Sequence, residues 1–202
     1  MMRRIGVLFL LGALVLAACD EAISLRGDGD VVTETRTVSE FDKVDANNGV
    51  RVFLTVDPAA AGDVVLEVTT DSNLQDYLTT RESGGKLTVT SSRIGGVTPT
   101  GEFRVSGTVA SLTDVKVNNG ARVEITGSVD EVTLSANNGS HLDGDAFQTT
   151  TAEVEADNGA QITVCVTGEV SGEVTNGADL TVLCGGSMRV DTSGGGRVSS
   201  SP

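Results

Sequence analysis

Residues 115–125 read VKVNNGARVEI, and residues 134–144 repeat the same pattern as LSANNGSHLDG. In both stretches an Asn-Asn-Gly turn separates two runs in which aliphatic and polar residues alternate. Alternation with a period of two predicts β-strands that bury one face. Glycine suits a left-handed turn conformation, in which a Cβ atom would be costly. The motif therefore predicts two strands that meet at a tight turn.

The turn recurs along the chain at a nearly constant interval. After Gly120 the turn glycines are Gly139, Gly159, Gly177 and Gly195. Self-similarity at such a period is the sequence signature of a solenoid, in which each repeat stacks on its neighbour. We expect the asparagines and glycines of these turns to be structural. They are Asn48-Gly49, Asn119-Gly120, Asn138-Gly139, Asn158-Gly159 and Asn176-Gly177, with a degenerate copy at Ser193-Gly194-Gly195.

Two architectures are compatible with this pattern. Asn-Gly between alternating runs is also the strongest hairpin signal, so a meander of antiparallel hairpins is the alternative. The aliphatic positions keep their register from copy to copy, and the spacing is nearly fixed. Both observations favour a stack of parallel coils about 4.8 Å apart. We therefore predict an all-β solenoid with coils of about 18–20 residues, in which the asparagines of successive turns bond to one another as a ladder.

The N-terminal part of the chain breaks this period, because the first Asn-Asn-Gly ends at Gly49 and the second only at Gly120. A capping residue at Asp71 predicts one short helical turn over residues 71–78. We expect an N-terminal, partly antiparallel elaboration that covers the first coils. Alternation predicts its strands at residues 50–56, 64–70 and 86–91.

Residues 1–18 have the form of a secretory signal peptide. Arg3 and Arg4 precede an apolar run at residues 5–18, which is shorter than the roughly 20 residues that span a bilayer. The run ends at Cys19 and resembles the lipobox of bacterial lipoproteins. The resemblance implies that Cys19 is the lipidated first residue of an exported protein, anchored extracytoplasmically to a membrane of the cell envelope. The sequence does not distinguish the inner from the outer membrane.

The chain is thus divided into four parts. Residues 1–18 are the signal peptide, and residues 19–30 are the lipidated cysteine and a short acidic tether, in which Gly27 and Gly29 supply flexibility. Residues 31–198 form a single domain. Residues 199–202 are a tail that we expect to fray.

The cysteine count favours a disulfide. If Cys19 is lipidated, Cys165 and Cys184 remain as an even pair in an oxidising compartment. They lie six and seven residues after their turn glycines, and neighbouring coils would bring them within bridging distance. The offset of one residue would point them to opposite faces unless a bulge intervenes. Two cysteines and one histidine make a poor zinc site, so no metal is predicted.

Composition restricts the partners. Removing Arg3 and Arg4 with the signal peptide leaves 12 basic and 28 acidic residues, a formal charge of 12 − 28 = −16. Such a surface repels nucleic acid, which excludes a nucleic-acid role. Aromatic residues make up only 3% of the chain, and their scarcity argues against a sugar-binding groove built on aromatic platforms.

One cluster could carry chemistry. His141, Asp143 and Asp145 lie within five residues, and the two aspartates could share a strand face. Paired carboxylates are the machinery of glycoside hydrolysis, so a polysaccharide lyase or hydrolase on a β-helix scaffold is the alternative function. Acids beside a turn glycine are usually only solvated, and no nucleophile motif or phosphate-binding glycine loop accompanies them. We predict no catalytic residues and no cofactor.

The order of the motifs resembles a known family. Residues 41–44 (FDKV), the first Asn-Asn-Gly, residues 71–74 (DSNL) and residues 85–89 (GKLTV) follow one another as in the GIN-domain family, DUF2807, named for an auto-transporter adhesin head. The resemblance covers residues 26–198. It implies a right-handed parallel β-helix-like fold in an envelope protein, often a lipoprotein, and it supplies no catalytic residues. We therefore expect a non-enzymatic cell-envelope lipoprotein, a binding, adhesion or scaffold module whose partner is an envelope protein or a surface glycan.

Overall fold

The computed structural model describes residues 24–92 and 96–201. The predicted signal peptide at residues 1–18 and the predicted lipidation site Cys19 lie outside the described residues. Within the described residues the fold is all-β, with one short 3-10 helix at Ser72–Tyr77. The strands are β1 (Leu25–Arg26), β2 (Val31–Val38), β3 (Lys43–Asn47), β4 (Arg51–Val56), β5 (Val64–Asp71), β6 (Leu78–Ser83), β7 (Lys86–Ser91), β8 (Val97–Thr98), β9 (Arg104–Val109), β10 (Asp114–Asn118), β11 (Arg122–Asn137), β12 (His141–Ala156), β13 (Gln161–Val174), β14 (Asp179–Leu183), β15 (Ser187–Thr192) and β16 (Arg197–Ser200).

The turns join strands that pair with the next repeat and not with each other. Asn118, at the end of β10, pairs in parallel with Asn137, and Arg122, just after the turn, pairs with His141 of β12. The same parallel pairing relates β12 to β13, β13 to β14 and β15, and β14 to β16. The hairpin alternative is therefore wrong, because a hairpin would pair the two strands that flank a turn. The sheet as a whole curves into a nearly closed, barrel-like wall.

Stacked aliphatic side chains fill the interior. Val123, Leu142, Ile162 and Leu180 follow one another in register on β11 to β14, and each is at most 1% exposed. Burial of one such side chain contributes about 1.5–3 kcal/mol. Val198 occupies the same position on β16 but is only half-buried, because β16 is the outermost strand described on that side of the stack.

Gly144 interrupts the aliphatic column in a way that the fold explains. The pairing of β12 with β13 is irregular between Gly144 and Gln148, so β12 has additional residues there. Phe147 is completely buried, and a Cβ atom added to Gly144 would lie 3.5 Å from the Cβ of Phe147. The phenylalanine thus fills the space that a larger residue at position 144 would take.

The stacking order differs from the chain order at the N-terminal end. The repeat formed by β3 and β4 stacks directly on β10 and β11, so that Arg51 pairs with Arg122 although the two are far apart in sequence. β7 and β9 in turn pair in parallel with β3 and β4, through Lys86 with Lys43 and Arg104 with Arg51. The segment between the first two Asn-Gly turns therefore adds another layer to the stack before the chain returns to it.

The predicted elaboration is confirmed in its strands and in its partly antiparallel pairing. The expected strands at residues 50–56, 64–70 and 86–91 correspond to β4, β5 and β7. β2 pairs antiparallel with β5, β5 with β9, and β6 with β7. We refer to β1, β2, β5, β6, β8 and the 3-10 helix as the cap.

The predicted capping role of Asp71 is wrong. Its side chain makes no hydrogen bond to the first turn of the helix. The carboxylate instead accepts hydrogen bonds from the backbone N–H groups of Gly29, at 2.8 Å, and Thr100, at 2.9 Å, and from the Thr100 hydroxyl. Asp71 therefore holds two distant segments together at a completely buried position.

Both predicted flexible ends are more ordered than expected. Leu25 of β1 pairs with Val97, and a Cβ atom added to Gly27 would lie 2.2 Å from the carboxyl carbon of Asp71. Residues 24–30 thus pack on the domain and do not form part of a free tether. At the other end, Ser199 and Ser200 belong to β16 and pair with β14, so the predicted frayed tail does not begin at residue 199. In both cases tertiary hydrogen bonds outweigh a composition rich in Gly and Ser.

Candidate functional site

The Asn-Gly turns share one backbone geometry. The five asparagines have φ between 48° and 60°, and the glycines that follow them have φ between 67° and 75°. Where the closing hydrogen bond is formed, the residue after the glycine donates to the residue before the asparagine, as from Ala121 N to Asn118 O at 3.2 Å. Two central residues with positive φ define a type I′ turn, and asparagine and glycine tolerate that conformation best.

The backbone of each turn also binds the next repeat. Gly49 N donates to Asn119 O at 3.1 Å, and Gly120 N donates to Asn138 O at 3.2 Å. The same contact recurs from Gly139 to Asn158 and from Gly159 to Asn176. Because the amides of these four glycines are used between repeats, they are not free to bind a ligand. This geometry supports the structural role assigned to these residues.

The asparagine side chains form the predicted ladder, but after Asn138 the acceptor moves to the residue before the turn asparagine. Asn138 Nδ2 donates to Asn119 Oδ1 at 3.0 Å, and Asn119 Nδ2 lies 3.4 Å from Asn48 Oδ1. At the next steps the acceptors become Asn137 for Asn158 and Asp157 for Asn176. Hydrogen bonds from the Thr175 hydroxyl and the Asn176 amide hold the pKa of the Asp157 carboxyl below its usual value.

The disulfide between Cys165 and Cys184 is confirmed, with the two Cα atoms 5.2 Å apart. The register pairs Cys165 with Leu183 and not with Cys184, as the offset of one residue requires. Cys184 follows the end of β14 and has φ of 71°. This left-handed conformation departs from strand geometry, so the simple alternation of faces no longer applies to Cys184.

The candidate catalytic cluster lies on the outer side of β12. His141 and Asp143 are partly exposed and Asp145 is exposed, while Gly144 between the aspartates is buried. Asp143 Oδ1 accepts a hydrogen bond from Asp145 N at 3.3 Å, within the irregular segment of β12. This contact gives Asp143 a local structural role. Within residues 24–92 and 96–201, no three His, Cys, Asp or Glu residues converge on a position that could hold a metal ion.

A column of basic side chains, which we did not predict, crosses the same outer face. Arg104, Arg51, Arg122 and His141 occupy matching register positions on β9, β4, β11 and β12. Neighbouring strands are about 4.8 Å apart. We call this set the arginine column. Arg51, Arg122 and His141 each lie two residues after a turn glycine, so an alignment of the repeats on their glycines would have found three of the four residues.

Two arginines of the column have no partner among the described residues. Arg51 and Arg122 are exposed and form none of the ion pairs or side-chain hydrogen bonds found in residues 24–92 and 96–201. Arg104 lies 3.5 Å from Glu102, and its guanidinium carbon lies 5.3 Å from the centre of the Phe53 ring. Like charges on directly opposite strand positions are destabilising, so this alignment costs stability in a chain with few basic residues.

A shallow groove lies beside the column. It has a volume of about 690 Å³, and its lining residues include Phe53, Ser106 and Glu124, each two residues beyond an arginine of the column. Val65, which is 56% exposed, Asp63 and Glu67 also line it, so the groove carries three carboxylates with Glu124. We call this space the Phe53 groove.

The sequence profile of the family described as "Putative auto-transporter adhesin, head GIN domain" matches residues 40–125 and 96–186. No curated protein sequence matches the chain. Among the described residues there is no helix with the length and apolar character needed to cross a bilayer.

Crystal structures of three proteins described as "putative adhesin" resemble this chain. The protein from Bacteroides fragilis is 12% identical with a TM-score of 0.52, and the match covers 88% of this chain and 100% of that one. The protein from Parabacteroides distasonis is 15% identical with a TM-score of 0.50 and the same coverage, 88% and 100%. The protein from Parabacteroides merdae is 13% identical with a TM-score of 0.43, covering 89% and 100%. At these identities the first two likenesses concern the fold alone.

Proposed function

Because the chain belongs to the GIN-domain family, which is described as "Putative auto-transporter adhesin, head GIN domain", we propose that it is a non-enzymatic cell-envelope lipoprotein that adheres to another envelope component. In this proposal the parallel stack is a right-handed β-solenoid, and its side is the binding surface. Parallel strands joined by a crossover are right-handed in about 98% of cases, which supports the handedness.

The observation that carries the proposal is the continuous outer face of β9, β4, β11, β12, β13 and β14. In the first residues of these strands the outward side chains line up in columns, because Arg104 pairs with Arg51, Arg51 with Arg122, Arg122 with His141, His141 with Gln161 and Gln161 with Asp179. A rigid scaffold that repeats side chains at a fixed spacing makes an extended recognition surface, as in other stacked-repeat proteins. Such a surface suits adhesion better than a deep pocket would.

The anchor supports the same function. Lipidation at Cys19 would leave only residues 20–23 between the acylated residue and the segment that packs on the domain. The five residue steps from Cys19 to Ser24 reach at most about 18 Å when fully extended, so the proposed anchor would hold the domain close to the membrane surface. Processing that is blocked by globomycin would support lipidation, and a Cys19→Ala protein that remained in the membrane fraction would contradict it.

Adhesion can be tested with the complete lipidated protein in liposomes. We expect these proteoliposomes to be retained on surfaces coated with envelope polysaccharides or envelope proteins of the producing cell, and empty liposomes to be washed away. Equal loss of both preparations from every coated surface would contradict adhesion. Depolymerisation of a coated polysaccharide, abolished in an Asp143→Ala/Asp145→Ala protein, would establish the lyase or hydrolase alternative instead.

A further inference from the structure

The arginine column is the feature of the outer face that the turn and core geometry does not explain. The aliphatic residues fill the core, and the asparagines and glycines bond between repeats. Arg51 and Arg122 do neither, and their side chains point away from the core because Val52 and Val123 beside them are completely buried. An unpaired guanidinium is a strong bidentate partner for carboxylate or sulfate groups.

The charges around the column define the shape of its ligand. Acidic residues flank it. Glu102, just before β9, forms an ion pair with Arg104, and Glu124 and Asp143 lie two residues after Arg122 and His141 on β11 and β12. The chain as a whole has a net charge of −14. A flat anionic surface, such as a membrane, would meet these carboxylates as well as the arginines. A narrow linear polyanion laid along the column would contact the arginines alone.

The strands beneath the column leave no backbone edge for a peptide. β4 pairs with both β9 and β11, and β9 pairs with both β4 and β5. A bound chain must therefore be recognised by side chains, because strand addition requires a free edge. The neighbouring outward positions carry hydroxyl groups, at Ser106, Thr55 and Thr126, and all three line the Phe53 groove. The groove is also lined by Asp63, Glu67 and Glu124. The acidic groups of a bound sugar chain would therefore lie on the arginines, with its hydroxyl groups and apolar ring faces towards the groove.

From this arrangement we infer that the arginine column binds an acidic polysaccharide, with its carboxylate or sulfate groups on Arg104, Arg51 and Arg122 and an uncharged ring face against Phe53 at the edge of the groove. The inference rests on the proposed adhesive function and names its ligand class. Charge supplies most of the recognition, which is consistent with the scarcity of aromatic residues. Phe53 is the aromatic residue that lines the groove, and its ring already contacts the Arg104 guanidinium.

The test uses the complete lipidated protein in nanodiscs of neutral lipid, with polygalacturonate as the probe. We expect saturable binding that weakens as salt is added, since ion pairs at an exposed surface are screened. The Arg51→Gln/Arg122→Gln protein should bind at least tenfold more weakly. The matched control is Arg81→Gln/Lys86→Gln, which also removes two positive charges, but from exposed positions on β6 and β7. It should change binding less than twofold.

Three further probes separate the remaining outcomes. Neutral dextran should not bind. Polyglutamate that bound as tightly as polygalacturonate would indicate an acidic protein partner and overturn the inference, and vesicles rich in phosphatidylglycerol that bound more tightly than either polymer would indicate a membrane. Equal weakening by both double substitutions would show a general charge effect and would also overturn it. If the Arg51→Gln/Arg122→Gln proteoliposomes still adhered normally to envelope material, the polysaccharide-binding role of the arginine column would be wrong and the adhesive function would stand.

Discussion

The cap and the repeats of this molecule are stabilised by different interactions. In the repeats, residues 114–200, aliphatic side chains stack on one another, and the buried polar residues described there are Ser140 and Thr149. The cap contains four buried polar residues within seven positions of β5 and the 3-10 helix. They are Thr69, Thr70, Asp71 and Gln75.

Individual polar contacts organise the cap. Gln75 Nε2 donates to Val32 O and Val68 O, each at 3.1 Å, so one side chain joins the 3-10 helix to β2 and β5. The Arg36 guanidinium donates to Gln75 O at 3.0 Å and also bonds to Leu78 O. A buried polar group without its partner costs about 1–3 kcal/mol. Each contact in the cap is therefore specific to its position, whereas neighbouring repeats share the same kind of contact.

The largest expected effect is a loss of stability that should be local to the repeats and should leave the cap largely folded. Leu134 is completely buried between Val115 and Val154 of the adjacent strands. Leu134→Ala should lower the free energy of unfolding by about 3 kcal/mol, because it removes buried surface and leaves a cavity. Since each repeat contacts mainly its neighbours, hydrogen exchange should accelerate most in β10, β11 and β12, and less in β2 and β5.

The exposed Glu131 on the same strand is the control for this change. Glu131→Ala should alter the free energy of unfolding by less than about 0.5 kcal/mol. A Leu134→Ala protein in which β2 and β5 exchange as fast as β11 would contradict the distinction between cap and repeats. In that case the two regions would unfold as one unit.

The same distinction explains what the sequence could predict. The repeats are predictable because the register of β10 to β14 follows from a local pattern, an Asn-Gly turn with aliphatic residues at fixed offsets. The strands of the N-terminal region are also visible as alternation. Their stacking order is not, because the pairing of Arg104 with Arg51 and of Arg51 with Arg122 joins segments that are far apart in sequence. For this reason the place of Arg104 in the arginine column could not be predicted, whereas Arg51, Arg122 and His141 share an offset of two residues from their turn glycines that the sequence does show.

The contacts of single polar residues were the least predictable part. Asp71 has the sequence position of a helix cap, but it bonds to Gly29 and Thr100, which only the tertiary structure brings near. Similarly, the left-handed conformation of Cys184 was not evident from its sequence. The disulfide could therefore be proposed from the cysteine count, while the offset of one residue remained unexplained until the backbone was known.

The second effect is a pH-dependent loss of stability when the buried Asp71 carboxylate of the cap is replaced. The Thr100 hydroxyl, followed by the backbone N–H groups of Thr100 and Gly29, holds the pKa of Asp71 below the ordinary value of 3.8, although burial opposes this. Because the folded-state pKa is lowered, the charged carboxylate contributes stability above pH 3.8, and this contribution is lost as the pH falls through the folded-state pKa. Asp71→Asn should lower the free energy of unfolding by about 2 kcal/mol near neutral pH.

The difference between wild type and Asp71→Asn should shrink as the pH is lowered from neutral to below 3.8. Thermal unfolding at several pH values measures it. Asp76→Asn, at an exposed position on the 3-10 helix, should leave stability nearly unchanged at every pH. A difference for Asp71→Asn that stayed constant over the whole range would show that the carboxylate charge does not stabilise the cap.

The smallest effect concerns two asparagines with opposite requirements. Asn138, in a repeat turn, has φ of 54°, and an alanine in that conformation costs about 1 kcal/mol, whereas glycine adopts it freely. Asn73 in the cap does not have a positive φ, and its side chain donates to Arg26 O at 3.0 Å and accepts from Asp28 N. Asn73→Ala and Asn73→Gly both remove these bonds, and glycine in addition increases the chain entropy of the unfolded state. Asn138→Gly should therefore be more stable than Asn138→Ala, while Asn73→Gly should be less stable than Asn73→Ala. The same order at both positions in urea unfolding would mean that backbone conformation and side-chain contact do not divide between repeats and cap as the structure indicates.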